Sequence, residues 1–328
     1  MRCIKKQSYK EKGHVYHRNF FDNEMKKSRY RTISILLCLL MLFSLCACSK
    51  NSTFANYENN TERQLPGNAK DAVDYSGHSF AVHYINVGQG DAALVVCDDK
   101  TMLIDGGKPR ASDIIYTYLK KLNIDYLDYI VASHADDDHI GGLSAPLAKM
   151  KVGNVLAPKT ESDIRSYKSL KSKIDEQGLR IVHPKPGETI EFGVSKIEFY
   201  GPITESEDDR NNGSVVMKII YGDTSFLFTG DAERKEEQEI LKAGYDISAT
   251  VLKIGHHGSK NSTTYPFLRE VMPRYAIISV GDNSYGHPTD DTLSRLRDAD
   301  VKVYRTDVNG DIIAESDGKS VKIKTKMP

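Results

Sequence analysis

The chain has 328 residues, of which 39% are hydrophobic and 27% are charged, an ordinary composition for a globular protein. Its 45 basic and 45 acidic side chains balance, but residues 1–47 contain ten of the basic and only three of the acidic ones, so residues 48–328 carry a net charge of −7. This acidic body excludes the broad positive field of a strong nonspecific nucleic-acid binder, and a phosphate-rich substrate would have to be held locally.

The N-terminal segment has the layout of an export signal. Residues 25–31 are basic and precede an apolar run of fifteen residues, 33–47. This run is shorter than the about 20 apolar residues of a membrane-spanning helix and suits the core of a signal peptide. We therefore predict a signal peptide over residues 25–47, with residues 1–24 as an over-extended gene start. A plain transmembrane anchor is the alternative.

The end of the apolar run predicts a lipid anchor. Leu45, Cys46, Ala47 and Cys48 resemble the lipobox of bacterial lipoproteins. The resemblance implies that Cys48 is lipidated and becomes the mature N-terminus, which would hold the exported protein on the outer face of the cell membrane. Processing there leaves Cys97 as the one free thiol of the mature sequence, so we expect no intramolecular disulfide. The polar residues 49–77 are predicted to form a flexible tether.

From residue 78 onward, short apolar runs alternate with amphipathic stretches, which predicts one α/β domain over residues 78–328. Strands are predicted at residues 79–87, 92–97, 101–104, 126–132, 196–200, 214–221, 225–228, 249–254, 275–280 and 301–304, with a closing hairpin at 311–314 and 320–323. Helices are predicted at residues 112–122, 143–150, 163–177, 233–243, 265–271 and 290–298. Because the second half repeats the pattern of the first, we predict a sandwich with helices outside two packed sheets.

Residues 133–142 contain the most informative motif. Three adjacent carboxylates, Asp136, Asp137 and Asp138, lie between His134 and His139 directly after a predicted strand. Such carboxylates repel one another unless a cation lies among them, and a turn after a strand allows several side chains to converge. We interpret the motif as metal-binding, with a solvated acidic loop as the alternative.

Further polar groups follow other predicted strands. Alone, Asp105 before two glycines is compatible with a turn, and Asp231 is compatible with a helix N-cap. The adjacent His256 and His257 are flanked by glycines, which favours a metal or phosphate role over packing. The segment 281–288 again follows a strand with polar groups and a histidine.

Together these motifs resemble the metallo-β-lactamase superfamily, whose pattern is H-x-H-x-D-H, a separate histidine, a bridging aspartate and a final histidine. Here the first motif has Asp136 in place of the second histidine, and residues 211–216 stand where the separate histidine is expected. These departures resemble the metallo-β-lactamase-type domain of the ComEC family of competence proteins, through residues 87–91, 134–142, 211–216, 229–231, 255–259 and 285–288. The resemblance covers roughly residues 83–323 and implies a four-layer αββα sandwich in a free-standing, lipid-tethered form.

The resemblance also implies two divalent metal ions, zinc or manganese. The implied ligands are His134 and Asp136 for one ion, Asp138, His139 and His256 for the other, and Asp231 as the bridge between them. Asp138 and Asp231 are also expected to be catalytic. His256 is preferred to His257 because superfamily members often place the last ligand directly after the glycine that ends the strand. An oxygen ligand in place of an imidazole makes the first site more tolerant of manganese.

His257 is the alternative metal ligand. Several other residues of the motifs are expected to contact substrate or to orient the ligands. They are Asn212, Ser214, Ser259, Asn283 and His287. Asp105 is expected to support its loop, and Lys253 and Lys260 are expected to guide phosphates beside the metal site.

The implied activity is metal-dependent hydrolysis of phosphodiesters in DNA or another nucleic acid at the cell surface. One alternative is the hydrolysis of β-lactams or other small esters, which the departure from the lactamase histidine set disfavours. The other is a non-catalytic surface binding module in DNA uptake, which is disfavoured by the intact residues Asp138, His139, Asp231 and His256.

We expect Cys48→Ser to leave the protein unprocessed or to release it from the membrane, because the thiol that would carry the lipid is lost and stable anchoring needs more than one acyl chain. The measurement is cell fractionation with a mass determination of the mature N-terminus, and Cys38→Ser in the apolar run is the control. Unchanged processing and membrane attachment of Cys48→Ser would exclude a lipid anchor at this position.

Overall fold

A computed structural model describes residues 77–205 and 208–326. The predicted signal peptide, Cys48 and nearly all of the tether lie outside these residues. Within the described ranges, none of the helices has the length and apolar character needed to span a lipid bilayer.

Two β-sheets form the centre of the described region. The first sheet contains β1 (Phe80–Tyr84), β2 (Ala93–Cys97), β3 (Lys100–Ile104), β4 (Tyr126–Val131), β5 (Lys151–Leu156), β6 (Ile181–Val182), β14 (Ile312–Ser316) and β15 (Val321–Thr325). The second contains β7 (Thr189–Phe192), β8 (Ser195–Gly201), β9 (Val216–Tyr221), β10 (Thr224–Phe228), β11 (Val251–Lys253), β12 (Tyr275–Ile278) and β13 (Lys302–Arg305). Their strand orders are β15-β14-β1-β2-β3-β4-β5-β6 and β13-β12-β11-β10-β9-β8-β7.

Each sheet has an antiparallel side and a parallel side. Strands β3 to β6 run parallel to one another, and so do β10 to β13. Parallel neighbours need crossover connections, which helices supply. The helices are α1 (Ser112–Lys121), α2 (Asp137–Ile140), α3 (Ser144–Lys149), α4 (Arg165–Glu176), α5 (Arg234–Ala243), α6 (Tyr265–Val271), α7 (Asp290–Asp298) and α8 (Thr306–Asn309).

Three buried hydrophobic clusters define the order of the layers. The first lies between the sheets and joins Val82 of one sheet to Phe226 of the other. The second packs the outer face of the first sheet against helices, with Leu119 of α1 and Leu170 of α4. The third does the same for the second sheet, with Leu268 of α6. The predicted four-layer αββα sandwich is therefore confirmed.

The sequence analysis missed β5, because its sequence KVGNVL contains a glycine and an asparagine, which are depleted in strands. Gly153 is there for packing: a Cβ atom at this position would lie 2.4 Å from the hydroxyl oxygen of Tyr126. The short strands β6 and β7 were also missed. Most other predicted elements agree with the structure to within about three residues at each end.

Candidate metal centre

The polar motifs of both halves meet where the parallel strands end. Asp105 follows β3 and His134 follows β4 in the first sheet, while Asp231 follows β10 and His257 follows β11 in the second. Open α/β sheets commonly bind ligands outside the carboxyl ends of their strands. The two sheets together thus contribute to one site.

Three buried histidines direct their Nε2 atoms toward the Asp231 carboxylate. The Oδ1 atom of Asp231 lies 3.2 Å from Nε2 of His139, and its Oδ2 atom lies 3.9 Å from Nε2 of His134 and 3.8 Å from Nε2 of His257. All three Nε2 atoms and Oδ1 of Asp231 are buried without a hydrogen-bond partner. Unpaired buried polar atoms are costly, so this convergence fits a bound cation.

The opposite ring nitrogens of these histidines are held by the protein. Nδ1 of His139 lies 2.9 Å from Oδ2 of Asp105, and Nδ1 of His257 lies 2.9 Å from the carbonyl oxygen of Ser279. Such contacts fix the ring and leave Nε2 free for a metal. Asp105 also accepts hydrogen bonds from the backbone N–H and hydroxyl of Ser133, so it braces the turn that carries the histidines.

The remaining carboxylates lie close to the same histidines. Oδ2 of Asp138 lies 3.6 Å from Nε2 of His257, and Oδ2 of Asp136 lies 3.8 Å from Nε2 of His134. Among the described residues, ligand atoms within 4.8 Å of one another form four overlapping sets, none of which includes Asp136 or His256. These sets are His134, His139 and Asp231; Asp138, His139 and His257; Asp91, Asp231 and His257; and Asp91, Asp105 and His139.

The charge of the cluster also favours a cation. Asp105, Asp138 and Asp231 form no ion pair with a lysine or arginine of the described residues. Burial lowers the pKa of His139, but Asp231 and Asp105 outweigh burial and raise that pKa well above its ordinary value. Burial also lowers the pKa of His257, but the Asp231 carboxylate outweighs burial and raises that pKa to about 9. Histidine ligands lose such protons when a metal ion binds. A divalent cation would then balance the negative charge of the same carboxylates.

The structure favours His257 over His256 as the ligand, the reverse of the preference from the sequence. Both have positive φ angles, 47° at His256 and 52° at His257, and their ring planes differ by 74°. His257 is buried against Asp138 and Asp231. His256 is 24% exposed and belongs to none of these sets of ligand atoms, although its Nε2 lies 3.6 Å from Oδ2 of Asp231. Its Nδ1 lies 2.9 Å from Oε1 of Glu233. The preceding glycine therefore does not identify the ligand, because the left-handed turn directs the second ring inward.

Two of the other predicted residues, Ser214 and Asn212, make hydrogen bonds to backbone groups near the site. The Ser214 hydroxyl accepts the backbone N–H of Asp231 at 3.0 Å and lies 3.4 Å from Nδ1 of His134. Asn212 is buried, and its Oδ1 atom accepts two backbone N–H groups at the start of α5. Ser214 thus orients ligands, whereas Asn212 caps a helix and does not face the ligand atoms.

The last three predicted residues lie farther from the ligand atoms. Ser259 is buried and accepts a backbone N–H from Asn261. Asn283 makes four hydrogen bonds to the backbone of its own loop. His287 packs edge-on against His256, with ring centroids 5.3 Å apart.

Lys253 has a different place from the one expected. It is buried, 3% exposed, and its Nζ atom lies 2.7 Å from Oδ2 of Asp91. The other carboxylate oxygen of Asp91 lies 3.1 Å from Nδ1 of His257. Burial raises the pKa of Asp91, but Lys253 and His257 outweigh it and lower that pKa to about 2. The expectation that Lys253 guides phosphates is therefore wrong, because Lys253 neutralises the aspartate behind the metal ligand. A lysine inside an apolar strand was the sequence signal for this ion pair.

Arg210 was also missed from the sequence. Its Nε atom donates to Oδ1 of Asp136 at 2.6 Å, and its side chain is 37% exposed. Within the described ranges this is the one hydrogen bond of the guanidinium group. Its other nitrogens remain open to solvent beside the ligand atoms, and no motif of the sequence singled out this residue.

Comparisons with known proteins agree with the fold. The model of the "Metallo-beta-lactamase superfamily" matches residues 85–282. The chain is 33% identical to "ComE operon protein 3" of Bacillus subtilis and 32% identical to "Competence protein ComA" of Neisseria gonorrhoeae, over 70% of its own length in both cases. It covers 32% and 31% of those proteins, so it spans about a third of their length.

Among solved structures, the metallo-beta-lactamase fold protein YhfI of Bacillus subtilis aligns with a TM-score of 0.51 at 13% identity. The alignment covers 72% of this chain and 100% of that one. At this level of identity the likeness concerns the fold alone.

We expect His257→Ala to lower the metal content of the purified protein more than His256→Ala does, because only the imidazole of His257 joins a set of converging ligand atoms. Asp231→Asn should lower it as well, since the carboxylate common to the three histidines loses its charge. The measurement is elemental analysis after incubation with zinc or manganese. His183→Ala, at an exposed histidine outside the motifs, is the control, and a greater loss in His256→Ala would reverse the assignment.

Proposed function

Because the chain belongs to the metallo-beta-lactamase superfamily, whose fold is that of metal-dependent hydrolases, we propose that it is a two-metal phosphodiesterase that cleaves nucleic acid, chiefly DNA, at the cell surface. The proposed ligands are His134, Asp136 and Asp231 for one ion, and Asp138, His139, His257 and Asp231 for the other. His257 takes the place that the sequence gave to His256.

When bound, two divalent cations polarise a phosphoryl oxygen, lower the pKa of a water molecule and clamp the attacking and leaving oxygens. The donor atoms support this chemistry, since carboxylates and imidazoles suit zinc and manganese. Asp136 makes the first set richer in oxygen than an all-histidine set, which favours manganese there. Burial of the donor atoms of His139 and Asp231 excludes competing water from the inner side of the site.

Arg210 is the observation that most favours a phosphodiester over a neutral substrate. Its guanidinium group is tied through Nε to the Asp136 carboxylate, its side chain is 37% exposed, and its remaining nitrogens have no hydrogen-bond partner among the described residues. Arginine binds phosphate oxygens through paired N–H groups. We therefore assign Arg210 to one non-bridging oxygen of the substrate phosphate. A β-lactam or a small neutral ester offers no such anion at the reacting centre.

His256 is suited to protonate the leaving oxygen. Burial lowers its pKa, but the carboxylates of Glu233 and Asp231 outweigh burial and raise it. With Nδ1 held by Glu233, Nε2 lies 3.6 Å from Oδ2 of Asp231, on a side chain that is 24% exposed. A positioned acid of this kind contributes about 10²–10⁴ in rate. We propose that His256 donates this proton to the departing alkoxide.

The nucleic-acid and cell-surface parts of the proposal rest on the relatives and on the N-terminal sequence. Two relatives carry names of competence proteins, and competence is the uptake of DNA. The lipobox-like sequence ending in Cys48 would tether the enzyme outside the membrane, where incoming DNA is met.

The purified protein should digest DNA with added manganese or zinc, should be inactive with chelator and should not open a β-lactam efficiently. The acidic body offers few phosphate contacts, so cleavage should depend only weakly on salt, because the slope follows the number of phosphates neutralised. Arg210→Ala should lower kcat/KM on DNA by about 10²-fold, the loss typical of one donor to the reacting group.

The assay is a digestion over a salt series with wild type, Arg210→Ala and Arg274→Ala. Arg274 is an exposed arginine directly before β12 and serves as the control position. Chelator-resistant cleavage would contradict the proposal. So would an absence of phosphodiester cleavage together with rapid lactam hydrolysis, whereas no hydrolysis at all would favour a binding module.

His256→Ala should slow DNA cleavage by about 10²-fold or more and should leave the hydrolysis of bis(p-nitrophenyl) phosphate within a few-fold of wild type. The nitrophenolate leaving group departs without a proton, whereas the alkoxide of DNA needs one. Steady-state rates on both substrates provide the measurement, with metal content checked in parallel. Equal losses on both substrates would assign His256 to metal or substrate binding instead.

A further inference from the structure

We infer that Tyr285 is a stacking platform for one unpaired nucleobase beside the reacting phosphodiester, so that the enzyme takes its nucleic acid as a single strand. The inference rests on the proposed function, because it names the form of the substrate used by the same site. It concerns a residue to which neither the sequence nor the metal ligands give a role.

The exposure of Tyr285 is the first observation. Its side chain is 68% exposed. Of the large, exposed hydrophobic side chains in the described part of the chain, it is the one whose ring packs against His287, which in turn contacts His256. An aromatic ring that remains in water beside a binding site often marks a ligand contact, because burying it on a partner gains apolar contact.

The position of the ring relative to the catalytic centre is the second observation. The rings of Tyr285 and His287 lie 5.8 Å apart at an interplanar angle of 33°, and the ring of His287 contacts that of His256. His256 in turn reaches Asp231, with Nε2 and Oδ2 3.6 Å apart. A row of three rings, those of Tyr285, His287 and His256, therefore leads outward from Asp231, and the Tyr285 ring lies at the solvent-exposed end of that row.

The loop that carries Tyr285 is held in place even though the ring is exposed. Asn283 donates to the carbonyl oxygens of Gly281 and His287 and accepts the N–H groups of Tyr285 and His287, at 2.8–3.1 Å. Gly281 packs on the backbone of Gly88 so closely that a Cβ atom would lie 2.4 Å from its carbonyl carbon. A preorganised ring loses little conformational freedom on binding, which suits a recognition residue.

Because the protein is acidic, its binding of a nucleic acid depends on contacts that are not electrostatic. With a net charge of −7 in residues 48–328, the protein has no overall positive field to attract a nucleic-acid backbone. Stacking of a base on an aromatic ring is insensitive to sequence, because every base has a π face. A base inside a duplex has its faces covered and must be flipped out at a cost. A stacking platform therefore selects unpaired bases without selecting their identity.

The experiment measures binding apart from catalysis. The probe is a short phosphorothioate single strand with one 2-aminopurine, which resists hydrolysis, used with the metal-loaded protein. Fluorescence anisotropy gives the affinity, and quenching of 2-aminopurine reports stacking. Matched probes are a strand of the same length that is abasic at every position and the duplex that corresponds to the base-containing strand.

We expect Tyr285→Ala to weaken binding of the base-containing strand by about 5- to 100-fold, the effect of removing one aromatic stacking partner, and to abolish the quenching. Tyr285→Phe, which keeps the ring, should remain near wild type. Tyr265→Ala, at an exposed tyrosine of α6 that lines a different surface groove, is the control and should have no effect. The abasic strand should bind wild type and Tyr285→Ala alike.

Equal losses on the base-containing and abasic strands, a Phe variant as weak as the Ala variant, or a duplex bound as tightly as the single strand would each overturn the stacking role. If the wild type cleaves DNA while Tyr285→Ala keeps full affinity, only this inference fails. If the wild type neither binds any probe nor cleaves any phosphodiester, the proposed function fails with it.

Discussion

The carboxylate of Asp231 connects the two halves of the molecule. It belongs to the second sheet, yet it faces His134 and His139, which follow a strand of the first sheet. In the buried space between the strand ends, its charge must be matched by imidazolium protons or by a cation. The loops therefore have to bring donors from both sheets to one point, and much of the local backbone serves that requirement.

That requirement explains the unusual backbone around the site. Gly230, with a φ of 51°, leaves room for two loops: a Cβ atom there would lie 2.9 Å from the Cβ atoms of both Ser133 and Ser214. His256 and His257 both occupy the left-handed region, which costs side-chain-bearing residues of order 1–3 kcal/mol each. Beneath them, the buried pair of Asp91 and Lys253 keeps the carboxylate next to His257 charged. Strain and buried charge at this one place are what a preorganised binding site requires.

The sequence predicted the fold class, most strands and helices, and the segments that meet at the site, because periodicity and motifs are local. It did not predict β5, where Gly153 is required by a tyrosine from the neighbouring strand, a contact that propensity does not reveal. It also did not identify which of His256 and His257 faces the other ligand atoms, since the directions of two adjacent rings depend on the turn that carries them. Arg210 and the buried state of Lys253 depend on contacts with Asp136 and Asp91, which are distant in sequence. The metal ligands themselves remain predictions.

The pairing of β1 with β14 has a consequence for how the chain acquires its structure. Tyr84 lies opposite Ile312, and β15 completes the sheet beyond β14. The strand β1 therefore finds one of its neighbours only after Ile312, 228 positions later than Tyr84, has been synthesised, and contacts of such long range make folding slow. Until then β1 has an unpaired edge, which is a site for aggregation. The hairpin of β14 and β15 completes this side of the sheet, so the time for which β1 is exposed depends on when that hairpin docks.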